Sequence, residues 1–276
     1  MVDQRAYNNI LIHMESGRIQ QALVLIKTLT SKHPLQASYW HLYSMVSLQL
    51  QQSQCAIKHA KKAIDLEKRT DFNIQLALSF QRNLNFIAAL EIADSVIKTP
   101  INDAHNWNAL GNIYSGCNET ITAEKMYQKA VDLQPNIYHF LFNLATALRA
   151  NGKLEQAELT YDSVIAMKPD DYEAFYNRSQ LRKQTKLSNH TEAMELLLPQ
   201  KLRDWRDEVH VCFALAKEYE DLQKHSQAIA YLKRGCDLKR QKSNYRVEGD
   251  IQAIEQIINT FDNDFIQSDI QGCQSS

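Results

Sequence analysis

Apolar and polar positions along this chain recur on two scales. At short range, Trp107, Leu110, Gly111 and Tyr114 fall three, four and seven residues apart, which places them on one face of a helix. At long range the pattern returns with a step of 34 residues: Leu76, Leu110 and Leu144; Phe80 and Tyr114; Ala89, Ala123 and Ala157; Tyr127 and Tyr161; Pro135 and Pro169. Ala22 to Ala56 is again 34 and Ala56 to Ala89 is 33. Downstream the step loosens to 36 from Ala157 to Ala193 and to 35 from Ala193 to Ala228. A turn phrase recurs as well, SGRIQQA at 16–22 and NGKLEQA at 151–157. A period of this length predicts an all-α chain of stacked helical hairpins, each unable to bury its apolar face alone.

Within a hairpin the small residues carry as much information as the large ones. Gly111 and the equivalent Ala77, Ala145 and Ala216 stand where the partner helix must cross closely. Ala22, Ala56, Ala89, Ala123, Ala157 and Ala228 do the same on the second helices. Pro135 and Pro169 end one helix pair and set the chain's direction into the next.

These residues carry a resemblance. Trp107, Leu110, Gly111, Tyr114, Ala123, Tyr127, Ala130 and Pro135 resemble the full tetratricopeptide repeat (TPR) signature. Segment 138–171 follows with Leu141, Leu144, Ala145, Leu148, Ala157, Tyr161 and Pro169, and segment 209–241 keeps Leu215, Ala216, Tyr219, Ala228 and Leu232. Segments at 3–36, 37–69 and 70–103 match more loosely. The resemblance implies a right-handed superhelical α-solenoid of about seven helical hairpins over residues 1–241. Its unit at 172–208 is irregular: Ala193 and Leu197 read as packing positions of a second helix that Pro199 should break or kink, with a longer connection before them. Residues 242–266 read as a helix that caps the open end of the solenoid with Ile251, Ile254, Ile257, Ile258 and Phe261, and 267–276 as a disordered polar tail.

A second resemblance enters at this end. FALAKEYEDLQKHSQAIAYLKRGCDLKRQ followed by YRVEGDIQAIEQIINTF is similar to the repeat-to-catalytic junction of bacterial TPR–sulfotransferase fusion proteins. The departure is that no Gly-rich Ser/Thr loop stands in this sequence to cradle a phosphate. The resemblance therefore implies a recruiting portion without the catalytic domain.

Composition narrows the picture. The 276 residues include only 7 Gly and 5 Pro, few for a turn-rich β protein, and 44% are hydrophobic and 23% charged, as in folded soluble chains. The net charge of -1, from 31 basic and 32 acidic side chains, argues against nucleic-acid binding by bulk charge. The opening MVDQRAYNNILIHMESGRIQ predicts no signal peptide, and no apolar run approaches the ~20 residues of a membrane helix, so a cytoplasmic protein without membrane partners is expected. The odd set of five Cys, with no CxxC, reads as reduced thiols.

Candidate chemistry is sparse. Cys55 and His59 have the i, i+4 spacing of zinc ligands but lack a second pair, so a packed thiol beside a surface His is the favoured reading and no metal is expected. No nucleophile–base set or phosphate loop is found, which predicts a non-enzyme with no cofactor. What remains is binding. The resemblance implies that positions 2, 5, 6, 9 and 12 of each first helix line a concave groove. In the unit opening at Ala104 these are His105, Asn108, Ala109, Asn112 and Ser115. The next offers His139, Phe142, Asn143, Thr146 and Arg149, and the irregular one Glu173, Tyr176, Asn177, Gln180 and Lys183. Amides and rings suit an extended peptide or a partner protein. Chaperone-binding TPR proteins clamp a C-terminal carboxylate with Lys, Arg and Asn. Asn112 and Asn143 match the clamp asparagines, but Asn108, Glu173 and Asn177 replace its cations, so no carboxylate clamp is expected. Asn143 and Asn177 also resemble rungs of the asparagine ladder in the repeats of the glycosyltransferase that modifies Ser/Thr with N-acetylglucosamine.

Overall fold

The computed structural model of the chain describes residues 4–198 and 204–261, which form two units, Met1–His190 and Thr191–Ser276. Among the described residues there are fifteen helices and no strand. The first unit opens with five hairpins: α1 (Gln4–Glu15) with α2 (Ile19–Lys32), α3 (Ala37–Gln49) with α4 (Ser53–Leu66), α5 (Thr70–Arg82) with α6 (Phe86–Val96), α7 (Ala104–Gly116) with α8 (Thr120–Leu133), and α9 (Tyr138–Ala150) with α10 (Leu154–Met167). The short α11 (Tyr172–Ser179) follows. The second unit contains α12 (Thr191–Leu197), α13 (Trp205–Asp221), α14 (His225–Lys242) and α15 (Val247–Thr260). This is an all-α solenoid of helical repeats.

The period of the sequence is the period of the packing. First helices begin at Ala37, Thr70, Ala104, Tyr138 and Tyr172, one sequence repeat apart. Ala22, Ala56, Ala89, Ala123 and Ala157 are all fully buried, one per second helix, because a larger side chain would force the crossing helices apart. Between them Leu110, Ile113, Phe140 and Tyr161 fill a continuous core spanning α5 to α11. Equivalent tryptophans are anchored alike: Trp40 Nε1 donates to the Pro34 carbonyl at 2.8 Å and Trp107 Nε1 to that of Ile101 at 3.2 Å. The chain reverses inside each hairpin through one left-handed residue. Gly17 and Gly152 of the recurring turn phrase have φ of 72° and 76°, and Gln51, Leu84, Asn118 and Gln223 adopt the same conformation.

Several buried polar groups are paired across helices. Ser44 donates to the Ala56 carbonyl at 2.9 Å and accepts from Gln75 Nε2 at 3.1 Å, which ties α3 to α4 and α5. His41 is different. Its ring stacks on Phe72 at 4.8 Å between centroids, and its buried Nδ1 has no hydrogen-bond partner. Burial pushes its pKa down to about 4 from 6.5, with Asp71 opposing and Arg69 adding to the shift. His59, stacked on Tyr43 and facing Ser47, is likewise pushed down to about 4 by burial, with Lys58 adding to it. Both rings fold neutral, so the unfolded chain binds more protons between these limits. Stability is full above the ordinary histidine range and falls as pH drops from 6.5 toward 4. For His41 alone, moving from pH 7 to pH 5 should remove about 2 kcal/mol. Thermal melts across that window check this, and His41→Gln should flatten the slope.

The irregular segment departs from the repeat in a definite way. α11 stops at Ser179, where the other first helices of its unit run 12 or 13 residues, and residues 180–190 form a loop closed by a two-way backbone pair between Thr185 and Ser188 at 3.1 Å. The loop is built around Arg178, which is 3% exposed. Its guanidinium donates to Asp162 at 2.7 Å and to Gln184 Oε1 at 3.0 Å, and pairs with Glu158 at 2.9 Å. Arg182 reaches the same Glu158 at 2.7 Å and Ser188 Oγ at 2.7 Å. The longer connection expected here is present, as a locked structure rather than a loose insertion.

One expectation from the sequence is corrected. Ala193 is exposed, and Met194 takes the buried place on α12 together with Leu197, because the 180–190 loop resets the helical register by one residue. Pro199 lies outside the described residues. Within the range 242–266, α15 occupies the place expected for the last helix, none of its residues is buried, and Ile251, Ile254, Ile257 and Ile258 are 48 to 62% exposed. The apolar period was real, but it does not say what the face packs against. Residues 262–266 and the tail at 267–276 lie outside the described residues.

Candidate functional site

The candidate residues sit on the first helices α7, α9 and α11, whose one-repeat register brings equivalent positions side by side. Asn143 Nδ2 donates to Asn108 Oδ1 at 2.8 Å across α9 and α7. His105 and His139 lie 6.2 Å apart between ring centroids, both against Phe140. Burial, with the neighbouring His105 adding to it, pushes the His139 pKa down, which favours the neutral form of that ring. Asn112 Oδ1 accepts from Tyr127 Oη at 2.9 Å, and Thr146 Oγ1 shares a hydrogen bond of 2.9 Å with Tyr161 Oη. Phe142 stands edge-on to Tyr161 at 5.7 Å.

These residues enclose a cavity of about 210 Å³, its walls formed by Ser115, Thr120, Tyr127, Phe142, Asn143 and Thr146, with Ala123, Ala147 and Ala150 behind them. Burial raises the Tyr127 hydroxyl to about 12, so it serves only as a neutral hydrogen-bonding group. The arrangement can hold a mainly apolar side chain and satisfy one polar tip. Ser115, Phe142, Asn143 and Thr146 are groove positions expected from the sequence, whereas Tyr127 comes from a second helix: its ring lies against Gly111 and also forms part of the cavity wall.

The third row is less open. Asn177 is 7% exposed, and its Oδ1 accepts from Arg149 at 2.8 Å, so both side chains are engaged with each other. Glu173 is exposed and Tyr176 half-buried on the same helix. Gln180 is only the cap residue of α11, and Lys183 lies in the loop rather than on a helix, because α11 ends at Ser179. The counting that placed both on the groove assumed a helix of full length. Elsewhere, Cys55 is exposed and His59 is turned toward Ser47. Among the described residues no group of three or more metal-ligating side chains occurs, and no helix is long and apolar enough to cross a membrane.

Stacked helical hairpins presenting a row of amides and rings define a helical repeat protein of the kind that serves generally as a protein-interaction scaffold. Models of the tetratricopeptide repeat family match residues 104–137, 126–158, 143–197 and 209–242, so the repeats over these residues are tetratricopeptide repeats. Among curated proteins, the human protein O-mannosyl-transferase TMTC2 is 43% identical over 61 residues, 22% of this chain. The human protein O-mannosyl-transferase TMTC3 is 26% identical over 190 residues, 63% of the chain. The chain spans 7% and 20% of the lengths of these relatives. Among solved structures, a thermophilic TPR protein from Thermus thermophilus superposes with a TM-score of 0.57 at 16% identity, covering 65% of this chain and 98% of that one.

Proposed function

We propose that the chain is a non-catalytic scaffold whose α7–α9–α11 face holds an extended peptide or a segment of a partner protein, with no part for nucleic acid or membrane. The observation that carries this is the cavity lined by Asn143, whose amide is also paired with Asn108. In that pair one amide hydrogen and one oxygen are spent on each other, which leaves Asn143 Oδ1 and Asn108 Nδ2 for a peptide N–H and C=O. An apolar side chain of the ligand enters between Phe142 and Tyr127, while Thr146, Ser115 and Asn143 meet its polar end. His105, His139 and Tyr176 extend the face with further rings, and Asn112 adds an amide. Arg149, Asn177 and Gln180 position the third row more than they contact ligand. Glu173 supplies a negative charge that disfavours a terminal carboxylate there. The net charge of -1 supports a protein ligand over a nucleic acid.

The test is comparative capture from source-cell lysate with wild type and Asn112→Ala/Asn143→Ala/Tyr176→Ala. A partner bound by wild type should bind the variant at least ~10-fold more weakly, equivalent to about 1.4 kcal/mol, while the far-UV circular dichroism stays the same. Equal capture by both proteins would remove this face from the reading. A second reading makes the solenoid the recruiting portion of a sulfotransferase system and rests on the junction-like stretch at 213–261. It predicts a phosphate-loop strand-turn-helix encoded after Ser276 or beside this gene, and a sulfate acceptor among the captured partners.

A further inference from the structure

The second unit leaves two apolar helix faces unburied, and their charges are opposite. On α14 the row Ile229, Leu232 and Cys236 lies at helical spacing on the outer side, with Ile229 65% and Leu232 49% exposed. Its flanks and C-terminal turns carry exposed Lys233, Lys239, Arg240 and Lys242. On α15 the row Ile251, Ile254 and Ile258, with Ile257 beside it, is exposed throughout, and its edges carry Glu248, Asp250 and Glu255. Both faces stand open, although each has the pattern of a packed one.

We propose that these two faces belong together across two copies of the chain, α15 of each copy lying antiparallel on α14 of the other. Antiparallel packing sets the acidic start of α15 against the basic end of α14, and the isoleucine row against Ile229, Leu232 and Cys236. Within one copy the connection at 243–246 is extended at both ends, with ψ of 135° at Ser243 and 121° at Arg246, and α15 is not packed along its own α14. Tyr245 holds that geometry: its hydroxyl donates to Asp250, and Arg240 lies over its ring at 5.5 Å. An exchanged pair is two-fold symmetric, so one helix–helix contact occurs twice. That doubling moves a small contact toward the roughly 1,200 Å² at which specific interfaces become stable.

The full chain should run as a dimer in light scattering coupled to gel filtration, and Ile254→Glu/Ile258→Glu should be a monomer with unchanged helix content. Glu248→Lys/Glu255→Lys should weaken the dimer at least ~10-fold, and adding Lys233→Glu/Lys239→Glu should restore most of it. To identify the occupant, Ile251→Cys in a Cys55→Ser/Cys273→Ser background is oxidised and the linked peptides mapped. A disulfide from the introduced thiol to Cys236 that joins two chains supports exchange. The same disulfide closed within one chain, or a wild type that stays monomeric up to ~100 μM, a typical weak-dimer range, overturns the proposal.

Discussion

Arg178→Met should destabilise the first unit by about 3 kcal/mol, at the low end of what breaking a buried ion pair removes. The guanidinium lies inside the protein with three partners, Asp162, Glu158 and Gln184. Methionine fills much of the same volume, so the effect comes from what is left behind rather than from a void. Gln184 is 1% exposed, and its side-chain oxygen would lose the hydrogen bond from Arg178. Glu158 would retain Arg182, and Asp162, 40% exposed, would be screened by solvent, which keeps the effect below the upper end of the range. The Glu158 pKa is held below its ordinary value first by its hydrogen bond from Arg182 and then by Arg178, against its own burial. Urea unfolding of wild type and variant gives the magnitude. Amide exchange over 180–190 should rise by more than exchange in α3 or α4. A loss below ~1 kcal/mol, the scale of a surface pair, would show that Arg182 alone organises the loop.

Gly111→Leu should be comparably damaging, and Gly111→Ala should cost about 1–2 kcal/mol although alanine is the better helix former. A Cβ built at Gly111 falls 2.4 Å from Tyr127 Cε1 and 2.5 Å from Cδ1, so it meets the face of a ring held by Asn112 at its far end. The ring must turn or the helices must part. Helix propensity returns roughly 1 kcal/mol, and the overlap removes more. Tyr127→Leu in the Gly111→Ala background should recover part of the loss, whereas Tyr127→Phe, which keeps the ring, should not. Thermal melts of the four proteins decide it. If Gly111→Ala proves more stable than wild type, the crossing at this point has slack and propensity governs it.

The spacing in the sequence reached far into the fold because a helical repeat has few independent variables. Once Ala89, Ala123 and Ala157 set the step, the starts of α7, α9 and α11 followed from register, and with them the neighbouring of His105 with His139, both second positions of their units. The parts that did not follow depend on partners distant in sequence or on the absence of a partner. Arg178 takes its meaning from Glu158 and Asp162 on α10 and Gln184 in the loop, and no local pattern announces that set. Leu84 and Gln51 occupy the left-handed turn position that glycine marks in the recurring phrase, so composition hid a regular feature of the backbone. Ala193 looked like its counterparts because the repeat was extended across an insertion that shifts the register. The isoleucine row of α15 has a helix period whether or not anything lies against it.

The way α1 to α10 pack bears on how the unit acquires its structure. Each hairpin closes on residues a few turns away and then leans on the next, so few contacts wait for distant segments to meet. Loop-closure entropy is therefore met in small instalments, and the first unit belongs among fast-folding topologies. Trp107, Leu110, Phe140 and Tyr161 sit in one continuous cluster of buried side chains that spans α5 to α11, which makes α7 to α10 the natural nucleus of this unit. Order then spreads outward from it in both directions, and the outermost hairpins are the last to close and the first to open.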